Sequence, residues 1–216
     1  MNQRRLRSIC TVAGVAFFSS MAATTVFAQA DMPWTKVKCQ VHQIRYEHSH
    51  LQTPTDARSR LMKSIQTCDY QTAFQLIESG INLNFEDPSG NTPLAMAVAF
   101  GQNSIIQDLL QRGADPNRTN RKVSWVTELM GTALTHNVEG ARLLLERGAN
   151  VDMVDVYKAT ALMYAAEAGE TEIVRLLLAH GADPRLRDKF GKTAMELAIE
   201  TKHPEIAVLL DAVTEN

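Results

Sequence analysis

The chain has 216 residues, of which 45% are hydrophobic, 21% charged and 6% aromatic, with three cysteines and a formal charge of -2. This profile fits an ordinary globular chain and excludes a collagen-like, disulfide-dense or multi-span membrane protein. The near-neutral balance of charge argues against nucleic acid as the principal partner. Plentiful Leu and Ala in the second half favour helices over a sheet sandwich.

The first thirty residues read as an address label. Arg4, Arg5 and Arg7 precede an uncharged stretch from Ile9 to Phe27, and Ala28-Gln29-Ala30 follows with small residues. This is the three-part pattern of a secretory signal peptide, residues 1–30. A membrane anchor is the competing reading, but Ser, Thr and Gly dilute the run and no basic stop-transfer cluster follows. The style of the signal points to a Gram-negative periplasm. After cleavage no membrane contact is expected. The mature chain would lose three arginines and no acids, leaving 19 basic against 24 acidic residues, a formal charge of -5.

Cleavage would also remove Cys10 and leave Cys39 and Cys68. An even pair in an oxidising compartment predicts a disulfide between them. The loop it closes holds about thirty residues, for which chain entropy gives roughly 3 to 4 kcal/mol. It would tie an N-terminal extension, residues 31–56, to the body that follows. The extension also carries His42, His48 and His50, which with Cys39 offer soft and borderline ligands in one short segment. A metal-binding or thiol-redox role for that segment is the alternative to a plain docked extension, but the spacing matches no standard zinc pattern and a disulfide would consume Cys39. No metal site and no cofactor are assigned.

From residue 57 the sequence repeats itself. QLIESGINLN ends at Asn84, DLLQRGADPN at Asn117, LLLERGANVD at Asp152 and LLLAHGADPR at Arg185. Their glycines, Gly80, Gly113, Gly148 and Gly181, lie 33, 35 and 33 residues apart. Twenty-one residues before the last three stand Thr92, Thr127 and Thr160, and Thr193 opens one more unit. Leu94, Ala97, Leu109 and Leu110 fall at helical spacing, which predicts two short helices per unit with one apolar face each. The threonines are placed to cap the first helix, with Pro93 at its first position. Gly101 and Gly169 sit where that helix ends, Gly113, Gly148 and Gly181 where the second one does, and Asp115-Pro116 and Asp183-Pro184 turn the chain outward.

These residues closely resemble the ankyrin repeat, over about residues 57 to 213. The resemblance implies an all-α solenoid of helix-turn-helix units with outward hairpin turns. About three middle repeats and two capping repeats are expected, at 57–89, 90–124, 125–157, 158–190 and 191–216. The first unit is atypical, with Ser59 where the threonine belongs and polar Arg58, Arg60 and Lys63 in its opening helix. Terminal units of a solenoid need such polar faces. Thr127 follows Gly113 by fourteen positions, whereas Thr160 follows Gly148 by twelve, so the hairpin Arg118 to Val126 is two residues longer.

No nucleophile elbow, metalloprotease helix, phosphate-cradling loop or dinucleotide fingerprint is present, and the chain reads as no enzyme. Asp87, Asp155 and Asp188 recur near the hairpins, where turn hydrogen bonding explains them. His136, His180 and His203 fall at helix ends, and Met96, Met163 and Met195 near helix core faces. The resemblance implies recognition of a protein partner by a concave face built from hairpin tips and first helices. The family's variable positions fall on Ser89, Asn91 and Phe100, on Tyr157 and Glu167, and on Lys189, Phe190, Lys192 and Glu200. The longer hairpin adds Arg118, Arg121, Lys122 and Trp125. Packing of Trp125 and Phe190 back on neighbouring turns is the competing reading for those two. Small exported proteins of this layout resemble accessory factors that support periplasmic catalase and peroxide resistance, and immunity proteins that neutralise a delivered toxin. The chain is expected to be a monomer.

Overall fold

The computed structural model describes residues 56–120 and 126–214. Among them are ten helices and no strand beyond an isolated bridge between Thr119 and Thr127. The helices come in five antiparallel pairs: α1 (Ala57–Gln66) with α2 (Tyr70–Glu78), α3 (Pro93–Ala99) with α4 (Asn103–Gln111), α5 (Glu128–Thr135) with α6 (Val138–Glu146), α7 (Ala161–Ala168) with α8 (Thr171–Ala179), and α9 (Ala194–Glu200) with α10 (Pro204–Thr214). First helices stack on first helices and second on second along the array. This is an all-α solenoid. Each helix has seven to eleven residues, too few to persist alone in water.

Local sequence fixes where each first helix starts. The hydroxyls of Thr92, Thr127, Thr160 and Thr193 accept the backbone N–H groups of Ala95, Met130, Met163 and Glu196 at 3.0, 3.3, 3.4 and 3.3 Å. Each satisfies one amide that a helix start leaves without a partner. Thr193 and Glu196 bond reciprocally, since Thr193 N–H donates to Glu196 Oε2 at 2.7 Å, and this bond holds the Glu196 carboxyl below the usual carboxylate range. Ser59 does not play the threonine's part. It lies inside α1, and Asp56, one turn earlier, accepts Ser59 N–H at 2.9 Å as the cap. The carboxylate captures the helix start, and Ala57-Arg58 then extend the first turn.

Nine residues after each cap the chain turns left-handed, at Gly101, His136, Gly169 and Lys202, and Cys68 holds the same place after Ser59. The register therefore survives in the first unit although its helix starts early. At Gly169 the requirement is double. Its φ is +81°, and a Cβ there would fall 2.5 Å from the His203 ring of the next unit. The imidazole of His203 is packed against a backbone that only glycine leaves open.

Between units the apolar faces close. Leu94, Ile105, Leu109, Leu129, Met130, Leu144, Leu162 and Leu177 are at most 1% exposed and belong to one continuous core. Met96 and Met163 are buried in it and Met195 packs against it. On the opposite edge a ladder of amides joins successive turns. Asn84 donates to Gly113 O and accepts Asp115 N–H, at 3.1 and 2.8 Å. Asn117 repeats both bonds with Gly148 O and Asn150 N–H, at 3.0 and 2.7 Å. The third rung is Asp152, which accepts Asp183 N–H at 3.1 Å. A carboxylate has no N–H to give, so this rung lacks the donor half.

Two stability effects follow. Leu144→Ala removes a fully buried side chain and is expected to cost about 2 to 5 kcal/mol in urea unfolding, with adjoining units loosening together. Asp152→Asn restores the missing donor toward Gly181 O and is expected to raise stability by about 0.5 to 1.5 kcal/mol. An unchanged or lowered denaturation midpoint would contradict the ladder reading.

Candidate functional site

Three of the hairpins between units are built on one device. Asp87 Oδ1 accepts Ser89 and Asn91 N–H, Asp155 Oδ1 accepts Tyr157 and Ala159 N–H, and Asp188 Oδ1 accepts Phe190 and Lys192 N–H, at 2.8 to 2.9 Å. Tyr164 Oη adds a bond to Asp155 Oδ2 at 2.8 Å. Asp155 and Asp188 are only 5% and 4% exposed, so these carboxylates are spent on turn geometry. The tips they shape project outward.

Neighbouring tips are tied together. Lys189 N–H donates to Tyr157 O at 2.7 Å, joining the last two hairpins through their backbones. At the other end Asn120, 7% exposed, donates to Asn91 Oδ1 and Ser89 O at 3.0 and 3.4 Å. Arg118 pairs with Glu86 at 2.7 Å, and Lys192 pairs with Glu200. Ser89, Lys189, Phe190 and Glu200 are exposed, and Asn91, Arg118, Tyr157, Glu167 and Lys192 are half-buried. The fold gathers Tyr157, Lys189, Phe190, Lys192 and Glu200 at the C-terminal half of the row, and Ser89 and Asn91 at the other.

Phe190 does not fold back under cover, being 61% exposed. Phe100 is a correction. It was expected on the open face, but it is 5% exposed and part of the hydrophobic core. As the C-cap of α3 its ring is drawn into the apolar interior, where burial outweighs display. Arg121, Lys122 and Trp125, and the extension residues Cys39, His42, His48 and His50, lie outside the described residues, as does residues 1–30. Among the described residues no cluster of three His, Cys, Asp or Glu side chains is placed to hold a metal. His180 Nδ1 lies 2.9 Å from Leu176 O at the end of α8, and His136 pairs with Glu170 of the next unit.

One site residue escapes a reading of the sequence. Glu128 holds the first position of α5, where other units carry Pro93, Ala161 or Ala194, and it is 5% exposed. Its Oε1 accepts the Thr92 hydroxyl at 3.1 Å, across the seam between units, and its Oε2 is buried with no hydrogen-bond partner among the described residues. Burial pushes its carboxyl up to about 8, opposed by hydrogen bonds from its own N–H and Thr92; Asp115 adds to the rise and Arg118 opposes it. The only sequence signal is a charged residue at an otherwise apolar position.

Comparison with known proteins agrees with this architecture. The family described as "Ankyrin repeats (3 copies)" matches residues 30–120 and 129–213. The chain belongs to the ankyrin repeat family. Among curated ankyrin relatives, mouse ankyrin repeat and SOCS box protein 6 is 33% identical over 106 residues, 49% of this chain and 25% of that protein. The E3 ubiquitin-protein ligase hecd-1 of Caenorhabditis elegans is 34% identical over 109 residues, 50% of this chain and 4% of its own length. Human 2-5A-dependent ribonuclease is 36% identical over 80 residues, 37% of this chain and 10% of its length. The chain thus spans a quarter or less of these relatives. Ankyrin repeats indicate a protein–protein interaction module and are typically non-catalytic, even where the protein that carries them is an enzyme.

The buried acid gives the array a pH dependence. A carboxyl whose folded value of about 8 exceeds its ordinary 4.5 holds its proton more tightly in the fold. The advantage of the protonated fold is complete below about pH 4.5 and is lost as pH rises to about 8. Urea midpoints are therefore expected to fall across that window, and Glu128→Gln to flatten the fall. A variant as pH-dependent as the parent would show that another group is responsible.

Proposed function

We propose that this protein is a non-catalytic recognition module, exported through residues 1–30 to a Gram-negative periplasm, that grips one protein partner along its hairpin tips and first helices. The observation that carries the reading is a row of tips, three of them pinned by an inward-facing aspartate, with large side chains such as Phe190 left 61% exposed at its end. Affinity in such interfaces concentrates in a few large anchors rather than in area.

Two kinds of exported partner fit the chain's resemblance to small secreted ankyrin proteins: a catalase-like enzyme that it assists, or a toxin that it neutralises. A Cys39–Cys68 disulfide belongs to the same reading. It is supported by the even cysteine count left after cleavage and by the place of Cys68 in the first unit, at the turn between α1 and α2.

Affinity capture from periplasmic extract, with mass spectrometry of the bound material, tests the reading. A single dominant exported protein should be recovered by the parent chain. Recovery should fall by about tenfold or more with Tyr157→Ala/Phe190→Ala while the melting temperature shifts by only a few degrees. Equal recovery by parent and variant would remove these tips from the interface.

A further inference from the structure

We infer that the last two hairpins form the specificity-determining end of the interface, and that they fit a partner segment that is acidic and carries an apolar anchor. The inference rests on the recognition reading above and adds the chemistry of what is recognised.

Its first support is where apolar surface is left uncovered. Seven large apolar side chains among the described residues are 40% exposed or more. Three of them, Val154, Val156 and Phe190, stand on these two adjacent tips, at 45%, 45% and 61%. The others are scattered over α2 and the terminal unit. The two tips are also joined, since Lys189 N–H donates to Tyr157 O. Apolar side chains left exposed together on two joined tips are suited to anchor a partner.

Its second support is the sorting of charge. The segments 154–159 and 187–192 hold four cationic residues, Lys158, Arg187, Lys189 and Lys192, against two acids, Asp155 and Asp188. Both acids are turned inward and consumed by backbone N–H groups. Arg187 and Lys192 are paired with Glu196 and Glu200. Lys158 and Lys189 are exposed, and neither joins an ion pair among the described residues. In a chain whose overall charge is negative, this end offers two unneutralised ammonium groups beside apolar surface.

Lys158 adds a third observation. It occupies the left-handed turn position, φ +57°, that Gly90 and Gly191 fill in the equivalent hairpins. A lysine there is held against the backbone preference that glycine would satisfy. The position keeps a positive charge at the tip where the fold by itself asks for none.

The probe is a displayed library of random sixteen-residue peptides, selected on the full chain, followed by titration of the enriched peptides. Enriched sequences should carry two or more Asp or Glu around an aliphatic or aromatic residue. Their affinity should fall roughly tenfold with Lys158→Glu/Lys189→Glu and weaken with added salt, as expected for exposed charges. Lys158→Gly/Lys189→Ser should weaken them too while keeping or raising thermal stability, which separates lost recognition from lost folding. Enriched peptides that are neutral or basic, or acidic peptides indifferent to both variants, would overturn the inference and leave the recognition reading intact. Failure to enrich any peptide would overturn the inference, whereas the recognition reading would still stand or fall on partner capture. Lysine-dependent binding to phosphatidylglycerol vesicles in place of peptides would also overturn it, by assigning the patch to a lipid surface.

Discussion

The structure depends on contact between neighbouring units, because no single unit contains enough buried surface to fold. Helices of seven to eleven residues gain too few internal hydrogen bonds to offset nucleation. Their stability comes from side chains such as Leu94, Leu129 and Leu162, which stand at the same place in successive units and are each 1% exposed. Stability of this kind is a sum over seams, so the character of each seam matters more than the average unit.

The seams differ. The first carries Gln102, whose amide reaches back to Ile65 O at 2.6 Å. The second carries a buried carboxylic acid bonded to Thr92, the cap of α3, together with Asn137 donating to Asn103 at 2.8 Å. The third has lost half a rung of the amide ladder at Asp152 but gains a backbone bond between hairpins and the His136–Glu170 pair. Polar groups at buried positions add little net energy when satisfied and cost much when not. Here they act as markers of register, because shifting a unit by one residue would strand every one of them.

Much of the fold was legible because its signals are local and repeated. Thr92, Thr127, Thr160 and Thr193 announce helix starts through a hydrogen bond that spans three residues, and the sequence displays them at fixed intervals. Asp87, Asp155 and Asp188 announce turns for the same reason. What was not legible depends on contacts between units. Phe100 occupies a position that is variable in this kind of repeat, and only packing decides that its ring goes inward. In the first unit Asp56 rather than Ser59 caps α1, by accepting Ser59 N–H, and the repeat spacing alone does not say which residue takes that part. Glu128 carries no local signal beyond a charge at an apolar position, because its burial depends on contact with the preceding unit. Of the candidate surface, the tips at Tyr157, Lys189 and Phe190 were visible from the hairpin positions, while the exposure of Val154 and Val156 required coordinates.

The backbone bond from Lys189 to Tyr157 makes two loops into one mechanical part. A loop that moves alone can adapt to whatever touches it, at an entropic cost for each residue it orders. Two loops that share a hydrogen bond give up that freedom when the chain folds. A ligand resting on either tip would then press on both, and its grip would be felt as tightening of the terminal helices rather than as a local rearrangement. Opening either tip would break the bond they share, so their amides are expected to exchange together rather than one by one.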